Sequence, residues 1–250
     1  MGGLAGRLAR ACLAAGLVLA ASASAHAEEA KALELPVEQI ERIVREYLLR
    51  EPEVVYQALE ELQRRQAEAT AARQRAAIAE NQGELTGDSA SPVGGNPDGD
   101  VTLVEFFDYR CAYCRRVVTS VRALLDEDRS LRVVFKELPV LGPDSVRAAR
   151  AALASRRQDR YVPFHFALMA ADDLSQEGIR TIARSVGLDP DQLEADMAAP
   201  EVMAAIEANY ALANELGIEG TPAFVIGDQL IPGAVDKARL QQLLDQARAG

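Results

Sequence analysis

The chain of 250 residues is 49% hydrophobic, 26% charged and 5% aromatic, a balance that fits a soluble globular protein and excludes collagenous, low-complexity and polytopic membrane classes. Its 27 Lys and Arg against 38 Asp and Glu leave a formal charge of −11. No run of basic residues offers a footprint for a phosphate backbone, which argues against a nucleic-acid partner.

The first residues carry Arg7 and Arg10, and an uncharged run follows from Ala11 to Ala25, ending in Ala25-His26-Ala27. A basic start, a short apolar middle and a small-x-small site predict a secretory signal over residues 1–27, cleaved after Ala27; the apolar run falls short of the roughly 20 residues a spanning helix needs. An uncleaved anchor is the alternative. Cleavage removes Cys12 and His26 and leaves Cys111 and Cys114 as the cysteines and His165 as the histidine.

From Pro36 to Gln82 there is no glycine, and Glu, Arg, Gln, Ala and Leu predominate, all good helix formers. Two amphipathic helices joined at Pro52 are expected. Val37, Ile40, Val44, Tyr47 and Leu48 recur at helical spacing in the first, and Val55, Leu59 and Leu62 in the second. Beyond Leu62 the same seam meets Gln66, Ala69, Arg73 and Ala76, too weak for a long coiled coil. A separate apolar stripe needs something to cover it, so residues 28–82 are read as an oligomerisation extension, folding back on the chain's own domain being the alternative. Residues 83–99 hold five glycines and two prolines and read as a linker or edge segment.

Val101 to Phe107 is a β-rich apolar run, the pattern of a strand buried on both faces. Asp108-Tyr109-Arg110 turns the chain, and Ala112 to Glu127 has helical spacing, so Cys111 and Cys114 fall at a strand-to-helix junction. A disulfide across two intervening residues closes almost no chain, so it is a poor staple and the spacing asks for chemistry instead. The free N–H groups at a helix start stabilise a thiolate, which makes Cys111 both nucleophile and leaving group. Cys114, one turn deeper, is placed to resolve a mixed disulfide. Glu105 puts an ionisable carboxyl inside the apolar strand, where burial raises its proton affinity and suits it to shuttle a proton for Cys114. Pairing with Lys136 is the bland alternative.

A second strand is expected at Leu131 to Phe135, then about four helices between 144 and 216, broken at Pro163, Gly178, Gly187 to Pro190 and Pro200. Ala223 to Ile226 and Gln229 to Ile231 should form a hairpin across Gly227-Asp228, followed by a helix from about Asp236. The order is that of an α/β thioredoxin fold over residues 100–250 with an inserted helical domain. His165 lies in an apolar helical stretch and is expected to be packed. Asp172-Asp173, and Asp189 with Asp191, sit where helices start and are read as caps rather than calcium ligands.

Val104-Glu105-Phe106-Phe107-Asp108-Tyr109-Arg110-Cys111-Ala112-Tyr113-Cys114, together with Gly220-Thr221-Pro222-Ala223-Phe224, resembles the DsbA family of exported thiol-disulfide oxidoreductases from about Leu85 onward. With its helical extension the chain looks most like the ScsC-type branch. The resemblance implies a periplasmic protein whose extension mediates trimerisation, with cysteine-containing exported proteins as substrates, a membrane redox partner and no cofactor. It implies that Pro222 follows a cis bond beside the cysteines, that the Thr221 backbone pairs with an extended substrate segment, and that Glu105 lies beneath the disulfide. Ala112-Tyr113 stands where the strongest oxidants carry Pro-His, which implies a milder oxidant and favours isomerase over oxidase action. The competing class is a copper-binding or chaperone-like protein using the same thiols as Cu(I) ligands. With one histidine and one cysteine pair left, no structural zinc site is expected.

Overall fold

The computed structural model describes residues 36–249; the signal expected over residues 1–27 and the start of the extension lie outside the described residues. Helix α1 (Val37–Arg50) and helix α2 (Glu53–Glu80) meet at Glu51 and Pro52, because a residue preceding proline is driven out of the helical region. The chain divides within α2 into two compact units, one ending at Arg64 and the other beginning at Arg65. In the first unit α1 has no buried residue, and Ile40, Val44, Tyr47, Val55, Leu59 and Leu62 are all exposed.

In the second unit the last turns of α2 dock Ala77 and Ile78 into the core, and a π-helical turn at Gly83–Gly87 buries Leu85 beside them. The segment expected as linker or edge goes on to form β1 (Val93–Gly95), the antiparallel edge partner of the strand at Leu131–Glu137. Gly95 has φ +76, and a Cβ there would stand 2.4 Å from the Leu131 carbonyl oxygen, so only glycine fits.

Strand β2 (Val101–Phe107) lies at the centre of a five-stranded sheet of order β1-β3-β2-β4-β5. It runs parallel to β3 (Leu131–Glu137) and antiparallel to β4 (Ala223–Ile226), which turns into β5 (Gln229–Pro232). Alternation along β2 sends Leu103 and Phe107 to one face and Val104 and Phe106 to the other. The first face is covered by α3 (Ala112–Glu127), α5 (Tyr161–Ala170) and α9 (Lys237–Ala249) through Val117, Phe164, Leu168 and Leu240. Leu212 and Leu216 cover the second face together with Ile78 and Leu85.

The insert holds α4 (Pro143–Ala154), a 3₁₀ turn (Ser155–Gln158), α5, α6 (Gln176–Ser185), α7 (Pro190–Met197) and α8 (Pro200–Glu215). That is five helices where about four were expected. Pro163 and Gly178 do not break helices: each is the third residue of one, where the backbone N–H has no intrahelical partner to lose. The Gly178 N–H instead meets the Ser175 hydroxyl at 3.2 Å. Asp189 caps α7 by accepting from the N–H groups of Asp191 and Gln192, and Asp173 accepts from the Ser175 N–H. Asp172 and Asp191 serve as ion-pair partners of Arg115 and Arg180. No helix among the described residues is long and apolar enough to cross a membrane.

Candidate redox site

Cys111 ends the turn that leaves β2 and occupies the N-cap of α3 in extended conformation, φ −72 and ψ 115. Its N–H donates to the Asp108 carbonyl at 3.1 Å and its own carbonyl receives the Arg115 N–H at 3.0 Å, so the residue is fixed at the point where the first N–H groups of the helix lack partners. The residue is 6% exposed, and its thiol donates to the Thr221 carbonyl at 3.2 Å. The Thr221–Pro222 bond is cis, and the Pro222 carbonyl receives the Gly233 N–H at 2.8 Å. Cys114 lies one turn into the helix and is fully buried. Burial, and secondarily the neighbouring Cys111 sulfur, pushes the Cys114 thiol well up against the opposing pull of the Asp108 backbone. Both cysteines are free thiols. Between them Tyr113 is 57% exposed, its ring 5.2 Å from the Arg116 guanidinium carbon.

Glu105 is 1% exposed, and burial pushes its carboxyl up to about 8. Its Oε2 atom has no hydrogen-bond partner. Pairing with Lys136 is not realised, because the parallel register sets Lys136 opposite Phe106 and hence on the other face of the sheet. There the Lys136 ammonium donates to the Glu84 carbonyl at 2.6 Å and the Ser91 hydroxyl at 2.6 Å, with Asp88 at 3.3 Å. The fold thus brings Cys111, Thr221 and Pro222 together, buries Cys114 behind them, and sets Glu105 on the sheet face that α3 covers.

Residues outside the expected catalytic set support this loop. Asp108 is buried and accepts from the Arg110 N–H at 2.7 Å, the Leu141 N–H at 2.9 Å and the Ser145 hydroxyl at 2.8 Å, tying the cysteine turn to the start of α4. Tyr109 donates to Glu137 Oε1 at 3.0 Å, Tyr161 donates to the same oxygen at 2.8 Å, and His165 Nδ1 stands 3.1 Å from the Tyr109 hydroxyl. His165 is fully buried among Phe107, Phe135 and Tyr161, and burial lowers its ring to about 3. Among the described residues no group of three His, Cys, Asp or Glu side chains converges to hold a metal ion.

Residues 102–245 match the DSBA-like thioredoxin domain family, and residues 37–69 match the copper resistance protein ScsC N-terminal domain. A thioredoxin-like oxidoreductase from Silicibacter pomeroyi DSS-3 is 51% identical with a TM-score of 0.66, covering 68% of this chain and 99% of that one. Proteus mirabilis ScsC, in a transitional conformation, is 29% identical with a TM-score of 0.64, covering 85% of this chain and 96% of its own. Among curated sequences, the Na(+)/H(+) antiporter NhaA of Herminiimonas arsenicoxydans is 32% identical over 162 residues, which are 63% of this chain but 26% of that protein. The chain therefore spans about a quarter of the length of the curated relatives it matches first. A buried cysteine pair at a helix start, a cis-proline loop against it and both family matches lead to one assignment: the chain belongs to the DSBA-like thioredoxin family, in its ScsC-type branch.

Proposed function

We propose that the protein forms and shuffles disulfides in exported, cysteine-containing proteins of the periplasm, after removal of a signal at Ala27, and that it works as a homo-oligomer with isomerisation as its main task. The observation that carries this reading is Cys111 at the N-cap of α3, 3.2 Å from the Thr221 carbonyl, with Cys114 buried behind it. In isomerisation the Cys111 thiolate attacks a wrong substrate disulfide; one S–S bond forms, and the other substrate sulfur leaves as a thiolate free to attack elsewhere in the substrate. If the substrate stalls, Cys114 gives its proton to the Glu105 carboxylate and attacks the Cys111 sulfur. That closes the enzyme disulfide and releases the substrate reduced. Oxidation runs the other way: a substrate thiolate attacks Cys111 of the enzyme disulfide, and Cys114 leaves and takes the proton held by Glu105. A membrane dithiol or disulfide partner resets the pair.

The burial that pushes Cys114 up makes it a thiol that needs a base to attack and an acid to depart, and Glu105, pushed up to about 8, can be either near neutrality. The half-buried Thr221 backbone beside Pro222, which faces the Cys111 thiol, is suited to pair with an extended substrate segment. The test is trapping in cells: Cys114→Ser should accumulate mixed disulfides with exported proteins, and Cys111→Ser should accumulate none and lose turnover. Equal inactivity of both variants without a trapped adduct would remove the mechanism.

A further inference from the structure

Buried titratable groups outside the cysteine loop gather in one place. Glu137 closes β3 opposite Phe107, and Glu105 lies opposite Phe135, so both carboxyls point to the face that α3 and its cysteines cover. Three buried side-chain atoms among the described residues lack a hydrogen-bond partner: Oε2 of Glu105, Oε2 of Glu137 and Nε2 of His165. Such atoms are costly in an apolar core, and here the cost is concentrated beneath the reactive turn.

The groups facing Glu137 are Tyr161 from α5, Tyr109 and Asp108 from the turn, and Glu105 from β2, with His165 of α5 against the far side of the Tyr109 hydroxyl; Lys136 faces the other way. Burial first, with the nearby Asp108 and Glu105 charges adding to it against the two phenols, holds the Glu137 carboxyl well above its usual range. His165 is held neutral by burial. The Tyr109 hydroxyl donates to Glu137 Oε1 at 3.0 Å and stands 3.1 Å from His165 Nδ1. Tyr109 is therefore clamped at its ring end by β3 and the insert. Two residues before Cys111, its carbonyl receives the Arg115 guanidinium at 3.2 Å.

We propose that Glu137 and His165 are positioning residues for thiol-disulfide exchange: acting through the Tyr109 hydroxyl, they hold the Asp108–Cys111 turn and so set how readily Cys111 takes and gives a disulfide. This rests on Cys111 being the attacking sulfur. Glu137 acts here as a neutral acid whose carbonyl oxygen receives the phenols. The insert is thereby coupled to the redox pair, since α5 supplies both His165 and Tyr161.

The full chain and its Tyr109→Phe, His165→Leu and Glu137→Gln variants are to be equilibrated with reduced and oxidised glutathione, with the rate of Cys111 alkylation followed against pH and the urea midpoint as the measure of folding. Tyr109→Phe should shift the glutathione equilibrium constant about tenfold, the worth of one buried hydrogen bond. His165→Leu should shift it in the same direction, and the double variant should go no further than the larger single one. Glu137→Gln keeps a neutral oxygen acceptor and should stay within about twofold of the parent. Variants that lower only the urea midpoint, with the glutathione constant and alkylation profile unmoved, would overturn the proposal. So would a Glu137→Gln shift as large as that of Tyr109→Phe, because charge rather than position would then govern. If His165→Leu does not fold, Tyr109→Phe decides alone. A parent chain inert toward glutathione would sink the reading of Cys111 itself, and this proposal with it.

Discussion

Glu105 shows what one ionisable group costs inside a sheet. Its ordinary value is 4.5 and burial raises it to about 8, so the folded chain binds a proton that the unfolded chain has already released across that window. Stability from this group is therefore complete below pH 4.5 and is lost as pH rises through about 8, at a rate of up to about 1.4 kcal/mol per pH unit. Glu105→Gln cannot ionise and lacks this slope. Urea unfolding of the reduced proteins at pH 5, 7 and 9 should show the parent losing several kcal/mol relative to the variant, with His165 and Glu137 contributing equally to both. A gap that does not change with pH would mean that Glu105 is not held neutral. Glu105 was legible in the sequence because it interrupts an apolar run. Glu137 was not: after Leu131 to Phe135 the pair Lys136-Glu137 looks like a solvated strand end. Only the parallel register with β2 carries the strand on and buries the two side chains on opposite faces.

Between elements, Asp108 does for the loop what a cap does for a helix. One carboxyl group takes two backbone N–H donors and a hydroxyl from two sides of the site, so the turn before α3 and the approach to α4 are held as a unit. Asp108→Ala leaves the buried Ser145 hydroxyl and the half-buried Arg110 and Leu141 N–H groups without their acceptor, and should cost roughly 2–4 kcal/mol in urea unfolding. Asp108→Asn should do little better, because its amide nitrogen would face an N–H donor. A loss under about 0.5 kcal/mol, the range of an ordinary surface change, would show that the clamp is dispensable. The element pattern itself was largely legible: strands, hairpin, α3 and α9 follow apolar periodicity and turn residues. The insert holds one helix more than its prolines and glycines suggest, because the chain turns between α4 and α5 at Ser155–Gln158 and Asp159, φ 55, where the sequence carries neither. Pro163 and Gly178 sit in first turns, and Gly178 is required there because a Cβ would stand 2.4 Å from the Asp173 carbonyl oxygen. The Asp108 clamp had no sequence signal, since Leu141 and Ser145 meet it only after β3 has returned the chain to the same end of the sheet.

At the scale of the molecule, α1 and the first half of α2 carry Ile40, Val44, Tyr47, Leu59 and Leu62 as exposed side chains, more apolar surface at helical spacing than a lone chain keeps in water. Copies of the same stripe covering one another would place two or more cysteine pairs in one particle. A substrate held by one Cys111 as a mixed disulfide then meets a second pair at an effective concentration in the millimolar range, which is what shuffling needs and single-step oxidation does not. The full chain with Ile40→Glu and Val44→Glu keeps its catalytic unit intact, because α1 contributes no buried residue. Light scattering should report a fall to the mass of one chain. Reactivation of a scrambled-disulfide substrate should fall by about tenfold or more, while oxidation of a simple dithiol peptide holds at the parent rate. An unchanged mass would show that this stripe is not the interface. A monomer that reactivates the scrambled substrate as well as the parent does would show that isomerisation belongs to the single cysteine pair and its cis-proline loop, with the extension serving some other purpose.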